Sequence, residues 1–158
     1  MGDLTERKHP ARQSIFEQRN RAVIVFLTVC TAKRKPLLAN TAVQELLVDV
    51  WCESDLWLVG CYVLMPDHLH LFCAPACVEH PSVRKWAQYW KSRASTRWPN
   101  RLEQPVWQSD VWDRQLRTGE SYSEKWAYVL NNPVRHGLVK NAEDWPYQGE
   151  LNSLLWHD

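Results

Sequence analysis

Residues 56–74, LWLVGCYVLMPDHLHLFCA, decide the predicted fold of this chain. Two apolar runs flank a Met-Pro-Asp segment around Pro66, and because proline and aspartate favour turns, the stretch predicts a β-hairpin. His68 and His70 lie two residues apart in the second run. Side chains alternate along a strand, so both imidazoles project from one face while Leu69 points to the other.

The segments on either side of the hairpin complete an alternating pattern of strands and helices. The apolar, β-branched run AVIVFLTVC predicts a buried strand. Thr41 with Gln44 forms a capping-box pattern that opens a helix. The predicted elements are a strand over 22–30, a helix over 41–53, strands over 56–64 and 68–74, a helix over 82–98, an extended segment over 106–117, and a helix that Ser121 opens and Pro133 ends.

This order predicts an α+β fold of the ferredoxin-like type. Strands and helices follow one another as β-α-β-β-α-β, a two-layer arrangement with two helices on one face of an antiparallel sheet. An additional C-terminal helix follows. The third strand is interior in this topology, so the strand that carries His68 and His70 is expected inside the sheet.

The helix over 82–98 is predicted to be amphipathic. Its apolar stripe consists of Val83, Trp86, Tyr89, Trp90 and Ala94, and the basic residues Arg84, Lys85 and Lys91 lie off that stripe. The stripe is expected to pack on the sheet.

The composition predicts one folded domain without a membrane segment. The 158 residues are 45% apolar and 23% charged, a balance typical of folded proteins. We expect a basic N-terminal arm over residues 1–20, the folded domain over 21–150 and a tail over 151–158. No apolar run could span a bilayer and the charged N-terminus lacks a signal-peptide stretch, so we expect a cytoplasmic protein. Five cysteines without Cys-x-x-Cys spacing favour reduced thiols over disulfides or a zinc ribbon.

Charge is segregated along the chain although the net charge is only +1. Residues 1–40 carry eight Lys and Arg against three acids, and residues 84–117 carry the same numbers. Residues 41–83 carry six acids and no Lys or Arg, and residues 118–158 carry three Lys and Arg against six acids. The two basic segments could bind phosphates of a nucleic acid, although solvated helix faces would give the same count.

The His-x-His pattern is a candidate metal site. Two imidazoles on one face of a strand can converge on an ion such as manganese, zinc, iron or nickel, but they need at least one more protein ligand. Taken alone, the pattern favours a structural pair of histidines in a half-buried sheet. Both interpretations of His68 and His70 stay open on these two residues alone.

The C-terminal helix offers two further candidates. Ser121 and Glu124 form a second capping box that fixes the helical register. The apolar stripe of this helix consists of Tyr122, Trp126, Val129 and Leu130. Tyr128 and Asn132 fall on the opposite side, one turn apart, with adjacent side chains. Beside a His-x-His pair, they form a testable set of nucleophile and third ligand.

Three motifs, in this order along the chain, resemble a known family. The run CYVLMPDHLHLF at 61–72, the run YVLNNPVRHGLV at 128–139 and the run DWPY at 144–147 resemble the single-tyrosine HUH transposases, above all the REP-associated tyrosine transposases. The resemblance covers roughly residues 20–150. The fold that it implies is the same β-α-β-β-α-β sheet.

The resemblance implies a role for each candidate residue. His68 and His70 correspond to the metal-binding pair, Tyr128 to the nucleophile and Asn132 to the amide that completes the metal site. Asp67 stands where many relatives carry Asn, next to the metal, and could alter how the neighbouring ligand is held.

The activity that the resemblance implies is that of a metal-dependent single-stranded DNA endonuclease and strand transferase. Such an enzyme uses Mg²⁺ or Mn²⁺, nicks DNA next to a palindromic hairpin and forms a covalent 5′-phosphotyrosine. The chain would act as a monomer or a homodimer, with no membrane partner. Basic residues that could contact DNA phosphates are Lys33, Arg34, Lys35, Arg84, Lys85 and Lys91.

Three other interpretations compete with this one. A DNA-hairpin-binding protein without catalysis would share the fold, although the complete His, His, Tyr and Asn set favours retained chemistry. A histidine-triad nucleotide hydrolase would need a third histidine where Phe72 stands. A zinc site could use the two histidines with Cys73 and Cys77, but strand alternation sends Cys73 to the opposite face.

Overall fold

The structure is a computed structural model that describes residues 23–117 and 120–154. The predicted N-terminal arm, residues 1–20, lies outside the described residues. In chain order the elements are β1 (Val25–Cys30), α1 (Thr41–Glu53), β2 (Trp57–Leu64), β3 (His68–Pro75), α2 (Val83–Thr96), β4 (Trp112–Gln115), α3 (Tyr122–Leu130), α4 (Asn132–Arg135) and β5 (Gln148–Glu150). Short 3-10 turns lie at Ala32–Arg34, Arg101–Glu103 and Ala142–Asp144.

The strands form one antiparallel sheet in the order β4-β1-β3-β2-β5. The first four strands have the ferredoxin-like arrangement that the sequence predicts, and β3 is interior as expected. β5 is an additional edge strand beside β2, and the sequence analysis missed it because Gln-Gly-Glu has no apolar alternation. The α+β fold class is confirmed.

The two faces of the sheet are covered differently. On β3, Leu69, Leu71 and Cys73 belong to the core under α1 and α2, as the predicted placement of two helices on one face requires. Phe72 belongs to a smaller core on the other face, where the apolar stripe of α3 packs. The histidines of β3 alternate with Leu69 and therefore lie on the α3 face.

Several local predictions need correction. The N-cap of α1 is Asn40, whose side chain accepts from Val43 N at 2.9 Å, so Thr41 is the first helical residue. Tyr89 is 52% exposed rather than part of the packed stripe of α2. Within the extended segment predicted over 106–117, the strand β4 covers only Trp112–Gln115.

The C-terminal helix is interrupted where the sequence predicts a continuous element up to Pro133. α3 ends at Leu130, and Pro133 lies in the first turn of the separate helix α4. A proline is tolerated there because the first turn of a helix has no use for its missing N–H. Gly137 follows α4 with a φ of 72°, a left-handed conformation that glycine adopts without a steric penalty.

The packed part of the chain extends beyond the predicted domain end at residue 150. Leu151 donates its N–H to Gly60 O at 3.0 Å, and Leu154 packs against the smaller core. A Cβ at Gly60 would lie 2.6 Å from Leu154 Cδ1, so the close approach of these segments requires a glycine. No helix in the described ranges combines the length and apolar character that a membrane crossing requires.

Candidate active site

The two histidines of β3 are held through their δ nitrogens. β3 pairs with β1 so that His70 faces Thr28, and His70 Nδ1 lies 2.8 Å from Thr28 Oγ1. His68 Nδ1 lies 2.8 Å from Asp67 Oδ1. The two rings are adjacent, with centroids 4.9 Å apart. Protein partners therefore fix the orientation of both imidazoles.

The donor set of the histidines fits a divalent metal. Among the described residues, neither ring makes a hydrogen bond through Nε2. A histidine that binds a metal through one nitrogen commonly donates its other N–H to a carboxylate or similar acceptor, which fixes the ring and its tautomer. Asp67 and Thr28 are positioned to be such acceptors for His68 and His70.

Electrostatics keep His70 in the neutral form that a metal ligand requires. Burial above all, with smaller coulombic contributions from His68, Arg135 and His136, lowers the pKa of His70 to about 3. An imidazole with this pKa is unprotonated at neutral pH and has a lone pair to donate.

Asp67 is part of a charged group at the end of β3. Arg34 Nε donates to Asp67 Oδ2 at 3.1 Å. Partial burial alone would raise the pKa of Asp67, but hydrogen bonds from His68 and Arg34, with their charges, hold it below its usual value. Asp67 is therefore an ionised acceptor for His68, and Arg34, a predicted DNA contact, is committed in part to this ion pair.

Tyr128 and Asn132 lie on either side of the break between α3 and α4. The Ser121 side chain accepts from Glu124 N at 3.2 Å and starts α3 as predicted. The predicted apolar stripe of Tyr122, Trp126, Val129 and Leu130 packs on the smaller core. Tyr128 is 66% exposed, whereas Asn132 is 8% exposed, so the helical-wheel expectation of two solvent-facing neighbours holds only for the tyrosine.

Arg135 connects these two residues, and the sequence analysis did not single it out. Its guanidinium carbon lies 3.9 Å from the centroid of the Tyr128 ring, and Nη1 donates to Tyr128 O at 2.7 Å. Nη2 donates to Asn132 Oδ1. The spacing of Arg135 three residues after Asn132 is visible in the sequence, but its contact with Tyr128 depends on the break at Asn131.

A cleft of about 480 Å³ brings the candidate residues together. Among its lining residues are His70, Tyr128 and Asn132, so the interior of the sheet and the α3–α4 segment contribute to one site. The remaining lining residues are Phe26, Phe72, Arg114, Lys125, Val129, Arg135 and His136. His68 does not line this cleft but adjoins it through its ring contact with His70.

His136 is a second residue that the sequence analysis missed. Its Nδ1 lies 2.9 Å from Asn132 O, and its ring centroid lies 6.5 Å from that of His68. Its position one turn after Asn132 was the available sequence signal. Within residues 23–117 and 120–154, no three His, Cys, Asp or Glu side chains form a group that could hold a metal, so a three-ligand site there needs a donor of another type, such as the amide of Asn132.

The other basic residues predicted to contact DNA are dispersed. Lys33 lies beside Arg34 in the 3-10 turn after β1. Lys35 Nζ donates to Glu103 O, Arg84 pairs with Asp110, and Lys85 lies on α2. Lys91 is 6% exposed and donates to Gln108 O at 2.8 Å, so its burial does not favour contact with DNA. DNA contact by these residues stays a prediction.

The competing zinc arrangement is not assembled. Cys73 is buried in the core under α1 and α2, on the opposite face from His68 and His70. Cys77 is exposed, and its thiol donates a hydrogen bond to Glu79 O. The third position of the histidine alternation is occupied by Phe72, which packs against Tyr122 and Phe26.

Two known proteins are similar in sequence to this chain. A REP-associated tyrosine transposase of Escherichia coli strain K12 is 25% identical over 125 residues, covering 77% of this chain and 73% of that protein. A putative REP-associated tyrosine transposase of Haemophilus influenzae is 27% identical over 108 residues, covering 61% of this chain and 60% of that protein. No protein-family model matches the chain.

Solved structures give the same fold. A structure of a REP-associated tyrosine transposase bound to a REP hairpin matches with a TM-score of 0.67 at 22% identity, covering 81% of this chain and 76% of that one. A putative transposase of Deinococcus radiodurans matches with a TM-score of 0.50 at 18% identity, covering 70% and 90%. The resemblance inferred from the three motifs is confirmed.

Proposed function

Because this chain is a relative of the REP-associated tyrosine transposases, we propose that it is a metal-dependent endonuclease and strand transferase for single-stranded DNA. The relatives support a transposase-like function in the coarse sense. One observation carries the finer proposal: His70, Tyr128 and Asn132 line the same cleft, while both histidines of β3 have their δ nitrogens engaged.

Tyr128 is the proposed nucleophile. It lines the cleft and is 66% exposed, whereas Tyr62 and Tyr122 are buried and Tyr89 lies on α2, across the sheet. The phenolic oxygen attacks the phosphorus of a phosphodiester, the bond to the 3′ oxygen breaks, and a 5′-phosphotyrosine forms. The phenol loses its proton and the released 3′ oxygen gains one. One phosphodiester replaces another, so joining needs no ATP.

The residues of β3 and α4 are proposed to hold a divalent cation such as Mn²⁺ or Mg²⁺. His68 and His70 would bind through Nε2 and Asn132 through its amide oxygen. A bound cation withdraws charge from the scissile phosphate and lowers the barrier to attack. Asp67 and Thr28 hold the imidazoles in place, and neutral His70 needs no deprotonation before it binds.

The proposed substrate is a DNA hairpin with a single-stranded flank. The structural neighbour is bound to a REP hairpin. Because the two chains are similar, we propose a ligand of the same kind for this chain. The hairpin binder without catalysis is the alternative to be tested.

The experiment uses single-stranded oligonucleotides that carry palindromes from the DNA flanking the coding sequence. Wild type with Mn²⁺ should convert a 3′-labelled oligonucleotide into a covalent adduct resistant to denaturing gel conditions, and Tyr128→Phe should give none. Tyr89→Phe is the matched control, since Tyr89 is also exposed but lies on α2.

Two results would contradict the proposal. Cleavage by Tyr128→Phe at the wild-type rate would remove the nucleophile assignment. Binding of a hairpin by wild type at high affinity with no cleavage in Mn²⁺ or Mg²⁺ would favour the non-catalytic binder.

A further inference from the structure

We propose that Arg135 is a positioning residue that holds the nucleophile Tyr128 against the metal-binding amide Asn132. This inference rests on the proposed function, because it assigns a role within the same site. Among the described residues, Arg135 alone makes hydrogen-bond or cation–π contacts with both Tyr128 and Asn132.

The guanidinium makes three different contacts at once. Its central carbon lies over the Tyr128 ring, one nitrogen donates to the Tyr128 carbonyl, and another donates to the Asn132 amide oxygen. A guanidinium is planar and has several donors in fixed positions, so it can lie on an aromatic ring and donate hydrogen bonds in two directions at once. The ammonium group of a lysine has no such planar face. The arrangement therefore uses the specific shape of arginine as well as its charge.

Arg135 differs from the other arginine and lysine side chains of the cleft, which share one carboxylate. Arg114 donates to both carboxylate oxygens of Glu120, and Lys125 lies 3.3 Å from the same carboxylate. The hydrogen bond from Arg114 is the largest of the effects that lower the pKa of Glu120 to about 2. Within residues 23–117 and 120–154, Arg135 has no carboxylate partner, so no acid competes with Tyr128 and Asn132 for the guanidinium.

The backbone around Tyr128 explains why such a contact is needed. Tyr128 lies near the end of α3, and the helix breaks at Asn131 before α4 begins. A tyrosine that is 66% exposed would otherwise sample several rotamers, and attack on phosphorus requires one geometry. Arg135 restricts the ring before DNA binds and ties it to the residue proposed to hold the cation.

The test compares Arg135→Ala and Arg135→Lys in single-turnover cleavage at saturating hairpin oligonucleotide and Mn²⁺. A misplaced nucleophile costs on the order of 100-fold in rate, so we expect about that loss for Arg135→Ala. Arg135→Lys should recover less than about a tenth of the wild-type rate because it keeps charge without the planar donors. Hairpin affinity should be unchanged in both.

Arg93→Ala is the matched control. Arg93 also lies over a tyrosine ring, that of Tyr89, at 5.6 Å on α2, and we expect its removal to leave cleavage unchanged. Circular dichroism of each variant checks folding. A wild-type rate in Arg135→Ala, full rescue by lysine, or a loss confined to hairpin affinity would each overturn the proposal.

A second readout does not depend on cleavage. The five tyrosines give separable ring signals in protein labelled with ¹³C-tyrosine, and Tyr128→Phe identifies the Tyr128 signal. Arg135→Ala should shift this signal toward that of a free tyrosine, while Arg93→Ala should not. If wild type fails to cleave, the proposed function is wrong. The Tyr128 ring signal then still shows whether Arg135 holds Tyr128. An unchanged signal overturns the inference.

Discussion

The two faces of the central sheet show how one strand serves both stability and chemistry. Toward α1 and α2, β3 directs Leu69 and Leu71 into a core rich in tryptophan. In this core, Trp90 makes T-shaped contacts with three other indoles. Toward α3, it directs His70 into the cleft and places His68 beside it. Alternation along the strand separates the two roles, so a substitution on one face should leave the other largely intact.

The largest expected effect is a loss of stability caused by a substitution on the core face. Trp90 is fully buried and contacts Trp51, Trp86 and Trp107, so Trp90→Ala should lower the free energy of unfolding by about 3–5 kcal/mol. Urea unfolding measures this. The Mn²⁺ affinity of the folded variant should match wild type. A loss below about 1 kcal/mol would contradict the assignment of this face as the main source of stability.

The corresponding change on the cleft face is His70→Ala. We expect Mn²⁺ affinity to fall by at least about 100-fold, because the variant loses an imidazole ligand whose orientation Thr28 fixes. Titration of the protein with Mn²⁺, followed by electron paramagnetic resonance, measures the affinity. His80→Ala is the control, since His80 is exposed in the loop before α2. Equal affinity in His70→Ala and wild type would remove His70 from the metal site.

A smaller effect is expected at Asp67, which orients a predicted ligand without binding the ion. Asp67→Ala removes the acceptor for His68 Nδ1 and the partner of Arg34, and should weaken Mn²⁺ binding by about 10-fold. Asp67→Asn keeps an acceptor oxygen and should lose less. The same titration compares the two variants, and a greater loss in the asparagine variant would contradict an orienting role.

The smallest expected effect is a pH dependence of stability that arises from Lys91 on the core face. Burial lowers the pKa of Lys91 to about 8, whereas the unfolded chain keeps its ordinary value of 10.5. Between these pH values the unfolded state binds the additional proton, so stability rises with pH. Relative to Lys91→Met, wild type should gain about 1 kcal/mol between pH 9 and 10 in urea unfolding. A parallel profile for the two proteins would contradict burial of the charge.

Apolar periodicity and capping residues predicted much of the fold. The hairpin, α1 and α2 lie where the sequence places them, because each has a continuous apolar pattern bounded by turn or cap residues. β5 could not be predicted, since its pairing with β2 depends on tertiary contacts rather than on its three residues. Tyr89 was misplaced because a helical wheel does not specify how wide a stripe the sheet covers.

The candidate site was only partly accessible from sequence. Strand alternation put both histidines on one face, and the family resemblance named Tyr128 and Asn132. The wheel argument assumed a continuous helix, so it missed the break at Asn131 that buries Asn132 and brings Arg135 over Tyr128. His136 was likewise missed, since its approach to His68 depends on packing between α4 and the sheet.

The central claim is that Tyr128 attacks DNA, and the most direct measurement is the identity of the residue that becomes attached. Wild type is incubated with Mn²⁺ and a cleaved hairpin substrate, the bound DNA is trimmed with nuclease, and tandem mass spectrometry locates the remaining nucleotide. We predict a nucleotide linked to the Tyr128 oxygen through its 5′ phosphate. Linkage to any other residue, or cleavage with no linkage, would contradict the account.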